Sequence, residues 1–175
     1  MTAPVAIRRA TVEDIAVVAG HRAAMFLEMG QLHQTGVAPM VEETMRYLRD
    51  AVPRGEYVGW LACTADRRVV AGAGTQCRRV LPFARAGLTG ADAVGFGRQA
   101  IVLNVYTEPA FRRQGLARAL MLDLLDWARS SGLESLVLHA TPDGRPLYEA
   151  LGFASTNEMR FMGELRQWVR PVPPA

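Results

Sequence analysis

The sequence predicts an α+β domain, a mixed and mostly antiparallel sheet flanked by helices, and three stretches predict it. Glu56 to Thr75 holds two apolar runs around the polar turn Ala65-Asp66-Arg67-Arg68, the pattern of a β-hairpin. Ile101-Val102-Leu103-Asn104-Val105-Tyr106 is short and rich in β-branched residues, so it reads as a strand. It leads through a basic turn into a helix on which Leu116, Leu120, Leu124 and Trp127 recur at helical spacing.

In chain order, Ala6 to Ala10 is a plausible first strand, and Thr11-Val12-Glu13-Asp14 resembles a capping box with Asp in the place of Glu or Gln. The helix that follows turns Ile15, Val18, Ala19, Met25 and Phe26 to one face and stops at Gly30. A loop through Gly36 and Pro39 precedes a second amphipathic helix, Met40 to about Ala51. In the hairpin, Gly72 and Gly74 leave one face of the second strand bare, for a ligand or for close packing. Phe83 to Gly97, with four glycines, reads as a long mobile loop.

After the central strand and helix, Ser135 to Ala140 is a short apolar strand. A short helix follows from about Thr141, with Leu147, Ala150 and Leu151 inward and Gly152 at its end. Phe153 to Gly163 has room for a last hairpin, with Met159 to Met162 as its second strand, and the Pro-rich tail is solvated. No internal repeat or linker divides the chain. The expectation is one domain over 1–175, with flexible ends near 1–4 and 170–175.

With 175 residues, 50% of them hydrophobic, the chain can bury a substantial core. No apolar run reaches membrane-spanning length and no basic then apolar leader opens the chain, so a cytoplasmic protein without a membrane partner is expected. The net charge is +3, but the arginines are scattered among 17 acids, which argues against a nucleic-acid partner. Cys63 and Cys77 would lie far apart on the hairpin, so neither a disulfide nor a metal pair is expected.

The turn before the long helix carries the chemistry. A helix start leaves its first N–H groups without intrahelical partners and adds partial positive charge, which makes an anion site. Arg112 and Arg113 stand beside it, and Gly115 lets ligand and backbone approach closely, so the anion is read as a phosphate or pyrophosphate. The spacing fits neither the Gly-Lys-Ser/Thr loop of nucleoside triphosphate sites nor the three-glycine dinucleotide fingerprint.

Arg112-x-x-Gly115-x-Ala117 resembles the Gln/Arg-x-x-Gly-x-Gly/Ala signature of the GNAT superfamily of N-acetyltransferases. A second stretch, Tyr148-Glu149-x-Leu151-Gly152-Phe153, is similar to that family's later motif, and the element order matches over nearly the full length. The resemblance implies a sheet whose fourth and fifth strands splay apart and an acetyl-CoA co-substrate with no metal. Arg112, Arg113, Gln114, Gly115, Leu116 and Ala117 would hold the pyrophosphate, and main-chain groups at Val105, Tyr106 and Thr107 the pantetheine arm.

Tyr148 is the implied general acid. Its phenol, ordinarily near pKa 10, can protonate a thiolate whose thiol sits near 8.5, whereas a plain reading of the residue is packing with its hydroxyl bound to a carbonyl. Some members carry a glutamate early in the fourth strand, where this chain has Gln99, so a carboxylate base is not implied there. Glu28, His33, Glu108 and His139 are the remaining bases, each with a structural reading of its own. Glu28 would flank the acceptor pocket, and Arg145 would be either a surface residue or a phosphate ligand. The implied partner is a small-molecule or peptide amine, with homodimer formation left open. A non-catalytic acyl-CoA-binding regulatory module is the alternative.

Overall fold

The first strand, β1 (Val5–Arg9), ends where Thr11 and Asp14 close a full capping box over a 3-10 turn, Val12–Asp14. This computed structural model describes residues 5–85, 87–156 and 158–159. It divides into two compact units, Met1–His139 and Ala140–Ala175. In the first, helices α1 (Ile15–Glu28) and α2 (Val37–Ala51) precede strands β2 (Tyr57–Thr64), β3 (Val69–Arg79), β4 (Phe83–Ala84), β5 (Val94–Gly95) and β6 (Arg98–Thr107). Helix α3 (Leu116–Ser130) and strand β7 (Ser135–Leu138) complete it. The second unit carries α4 (Arg145–Glu149).

The main sheet runs β1-β2-β3-β6-β7, antiparallel except for the β6–β7 pair. Side chains alternate across a strand, and β2 uses both faces. Tyr57, Leu61 and Cys63 join Ile15, Val18, Leu48 and Ala51 in one apolar cluster, which lays α1 and α2 on that face. Trp60 points the other way and meets Trp127 of α3 edge-on, with ring centroids 5.3 Å apart. Leu120, Met121 and Leu124 of α3 are fully buried. The sheet is therefore covered on both sides, which is why β2 reads as a continuous apolar run.

Several elements depart from their sequence expectation. Helix α2 begins at Val37, so Pro39 lies inside its first turn, where a missing N–H costs no helical bond. Met25 and Phe26 of α1 are only half-buried, whereas His21 and Ala23 are buried. Strand β3 runs on to Arg79, pairing Cys77 with Ala100. Both cysteines are free, Cys63 buried and Cys77 partly so.

Phe83 to Gly97 is not a structureless loop. It forms a small hairpin, β4 with β5, with a 3-10 turn at Gly90–Ala93 before β5. Glu134 ties its end down by accepting from the amides of Phe96 and Arg98 at 3.0 and 3.1 Å and from the Arg85 guanidinium. Gly72 and Gly74 serve packing: a Cβ at Gly74 would collide with the Tyr57 hydroxyl, and one at Gly72 would crowd Leu61. In the second unit, Phe153 to Thr156 has no regular structure, and Arg160–Met162 of the expected last strand lies outside the described residues. Among the described residues no helix is long and apolar enough to cross a membrane.

The capping box supplies a stability test. Arg8 donates twice to the buried Asp14 carboxylate, at 2.7 and 2.8 Å, and the Thr11 amide donates at 2.8 Å. The Arg8 hydrogen bonds hold that carboxyl below its ordinary value. A depressed carboxyl stabilises the fold above its unfolded value of about 3.9 and loses that contribution as pH falls through the native value. Asp14→Asn is expected to cost about 1–2 kcal/mol near neutrality. At about 2–4 °C per kcal/mol, thermal unfolding should fall by about 2–8 °C, and the gap to wild type should close in acid.

Candidate active site

Strands β6 and β7 pair only from Gln99↔Ser135 to Val102↔Leu138. Strand β6 continues to Thr107, so among the described residues Leu103 to Thr107 has β3 on one side and no strand on the other. At the fork β6 is bulged. Gly74 faces Leu103 and Gly72 faces Tyr106, so Ala73 alone opposes Asn104 and Val105. Asn104 takes φ +56° there, a left-handed conformation that Asn tolerates better than most residues. The bulge and the early end of β7 together leave the outer edge of β6 beyond Val102 without a strand partner among the described residues.

Beyond Thr107 the chain makes a 3-10 turn, Pro109–Phe111, and enters α3 through two left-handed residues, Arg113 at φ +62° and Gly115 at φ +79°. The first bond into the helix is Ala119 N–H to the Gly115 carbonyl, 3.0 Å. The amides from Arg113 to Arg118, including those of Gln114, Gly115, Leu116 and Ala117, find no acceptor among the described residues. Beyond its chain neighbours, a Cβ on Gly115 would meet no atom of the described residues within 4 Å, so the turn stands open there. Consecutive unpaired N–H groups at a helix start are what an anion needs.

Arg112 uses its side chain differently from its neighbours. Its Nε donates to the Thr107 carbonyl at 2.9 Å, and its Nη2 pairs with Glu28. Tyr106 donates its phenol to the same carboxylate at 2.7 Å. Burial would raise the Glu28 carboxyl, but the Tyr106 and Arg112 hydrogen bonds outweigh it and hold it below its usual range. Burial and the Glu28 hydrogen bond push the Tyr106 phenol up to about 12. Glu28 thus ties the end of α1 to β6 and the basic turn, and a carboxylate so held is a weak base.

His21 packs its ring 5.1 Å from Tyr106 and is buried, with neither nitrogen hydrogen-bonded among the described residues. Its Nε2 lies 3.7 Å from Glu108, whose other oxygen pairs with Arg68. Burial lowers the imidazole below its ordinary value, which favours the neutral ring. Gln99 accepts from Arg78 Nε at 2.7 Å and donates to Ser135 at 3.3 Å, a structural bridge between β3, β6 and β7. His33 is exposed before α2, and His139 follows β7.

A cleft of about 310 Å³ opens between α1, α2 and the sheet, lined among others by Arg22, Thr44, Tyr47, Tyr57, Leu103 and Asn104. Arg22 donates to Asn104 Oδ1 at 2.6 Å and lies 4.9 Å over the Phe26 ring. Asn104 in turn donates to the Tyr57 hydroxyl at 3.2 Å. Burial pushes the Tyr57 phenol up.

In the second unit, Tyr148 stands on α4 with its ring edge-on to Phe153, centroids 6.1 Å apart. Burial pushes its phenol above the ordinary value, and its hydroxyl has no hydrogen-bond partner among the described residues. The carbonyl bond of the packing reading is therefore not made there. Arg145 donates to Ser155 at 2.8 Å and lies 3.8 Å from Glu149.

Of the residues singled out in the sequence, the structure joins Glu28, Tyr106, Thr107 and Arg112 in one network beside the open turn. It adds three that sequence reading passed over: His21, Arg22 and Asn104. Their signal was polarity out of place, a His-Arg pair inside an apolar helix and a lone Asn inside an apolar strand. Among the described residues no three His, Cys, Asp or Glu side chains group as they would to hold a metal.

Comparison with known proteins gives a consistent picture. The family described as acetyltransferase (GNAT) matches residues 28–153. A GCN5-related N-acetyltransferase of Ralstonia eutropha superposes with a TM-score of 0.77 at 28% identity, over 90% of this chain and 97% of that one. A predicted acetyltransferase of Clostridium acetobutylicum, solved with acetyl-CoA, gives a TM-score of 0.78 at 24% identity over 94% and 99%, a likeness of fold. The glucosamine 6-phosphate N-acetyltransferase of Trypanosoma brucei brucei is 38% identical over 58 residues. That match spans 33% of this chain and 40% of that protein.

Proposed function

Because the chain belongs to the acetyltransferase (GNAT) family, a class of acyltransferase enzymes, we propose that it moves the acetyl group of acetyl-CoA onto a primary amine by direct attack in a ternary complex. The observation that carries this reading is the open turn at Arg113–Arg118, where among the described residues six consecutive amides at a helix start are free beside an unpaired edge of β6. The match to residues 28–153 also supports reading 1–175 as one domain.

Acetyl-CoA supplies an activated thioester. The amides of Arg113 to Arg118 and the Arg113 guanidinium would hold its diphosphate, with Arg112 braced on Glu28 to shape the turn. The main chain at Val105, Tyr106 and Thr107 would receive the pantetheine arm, and a free β6 amide would polarise the carbonyl as charge develops on its oxygen. The amine nitrogen bonds to the carbonyl carbon and the carbon–sulfur bond breaks. The amine proton leaves to water, and Tyr148 would give its own to the departing sulfur. Gln99 cannot accept a proton and Glu28, held below its usual range, is a weak base, so the reading favours an acceptor that arrives with its amine partly neutral.

The name of the trypanosomal relative adds aminosugar phosphates to the acceptors worth testing. Thiol release from acetyl-CoA against a panel of primary amines tests the reading, with acetyl-CoA titrated by calorimetry alongside. Amine-dependent release and an N-acetylated product are expected. Acetyl-CoA binding without turnover of any amine would instead favour a regulatory acyl-CoA-binding module.

A further inference from the structure

We infer that the acceptor amine carries an anionic group, a carboxylate or a phosphate, and that Arg22, fixed by Asn104 at the wall of the cleft, receives it. This rests on the transfer reaction proposed above and names its substrate class. Arg8, Arg68, Arg85 and Arg112 each meet a carboxylate. Arg22 does not. Among the described residues its hydrogen-bonding partner is the neutral Asn104 amide oxygen, which uses one of five N–H donors.

The guanidinium stays charged at any physiological pH, and beyond the face of the Phe26 ring it meets no counter-charge among the described residues. Met40, Thr44, Leu48 and Leu103 line the same cleft, and burial lowers the Arg22 pKa. Glu43 also lines the cleft, but its carboxylate pairs with Arg46, and both side chains are mostly exposed. A partly dry, unpaired guanidinium fork matches a carboxylate or phosphate in two-point geometry.

The charge is also held in place. Asn104 is pinned by the bulge of β6 and by its bond to Tyr57, so its oxygen is left facing Arg22. Asn104 and Leu103 sit where β6 leaves β7, so the anion subsite adjoins the fork proposed to receive the thioester. A cleft of about 310 Å³ suits a small acceptor.

The test uses matched acceptors on the full chain: glucosamine 6-phosphate against glucosamine, and phenylalanine against phenethylamine. Thiol release should favour the charged member of at least one pair by about 10- to 100-fold in kcat/KM, the worth of one charge-assisted hydrogen-bonded contact. The pair that shows it separates phosphate from carboxylate. Arg22→Gln should bring that ratio to about 1 through KM, and Arg22→Lys should restore part of it. Asn104→Asp guards against a folding defect, because Asp tolerates the same backbone and supplies the missing counter-charge internally. It should lose the preference too.

Calorimetric titration of glucosamine 6-phosphate and phenylalanine into wild type and Asn104→Asp reads the subsite without turnover. Equal or better use of the neutral amines, a preference that survives both Arg22→Gln and Asn104→Asp, or no binding of either anion would overturn the inference. Acetyl-CoA binding is scored separately. Its absence beside retained anion binding would sink the transfer reading and keep the subsite.

Discussion

Gly115→Val is expected to weaken acetyl-CoA binding by at least about 100-fold, the loss of two charge-assisted hydrogen bonds at about 1.5–3 kcal/mol each. The residue opens α3 at φ +79°, where a β-branched side chain is strained by about 1–3 kcal/mol. Among the described residues, and apart from its two chain neighbours, no atom lies within 4 Å of a Cβ built there, so the added side chain projects into open space at the start of the helix. Relief of the strain would rotate the turn and scatter the amides of Arg113 to Arg118. Gly115→Ala adds one carbon and should lose less. Calorimetric titration of acetyl-CoA into both variants checks this, with thermal unfolding reporting the strain separately. Unchanged affinity in the valine variant would move the anion site elsewhere.

Tyr148→Phe is expected to lower kcat by about 100-fold or more, the usual worth of a positioned acid, with little change in acetyl-CoA affinity. Among the described residues the hydroxyl has no partner, so its removal should leave stability within about 0.5 kcal/mol. The pH profile gives a second reading. A general acid must be protonated, and burial places this phenol above its ordinary value near 10. The wild type should therefore keep its activity to pH 10, with the falling limb above it. A Tyr148→Phe enzyme with unchanged kcat would make the residue a packing element and leave the thiolate to be protonated by water.

What could be read in advance was local. The Thr11–Asp14 capping box lies within four residues, and the β6-turn-α3 passage is marked by apolar run, proline, arginines and glycine in order. What stayed hidden depends on partners far along the chain. Arg112 reads as a free cation until Glu28, 84 residues away, is folded against it. The β4–β5 hairpin is concealed by its glycines, and its anchor, Glu134, lies 38 residues beyond Phe96. Arg22 could not be told from a solvated helix residue until Asn104, bulged out of register, met it across 82 residues. The fork itself was expected only through resemblance, because no residue pattern marks where β7 stops pairing with β6.

The central claim is that one open helix start and one unpaired strand edge together hold the donor. A crystal structure of the full chain with CoA tests it most directly. The diphosphate should lie within hydrogen-bond distance of amides between Arg113 and Arg118, with the pantetheine arm along Leu103 to Thr107. CoA bound away from that turn, or β7 zipped onto β6 beyond Val102, would contradict the account.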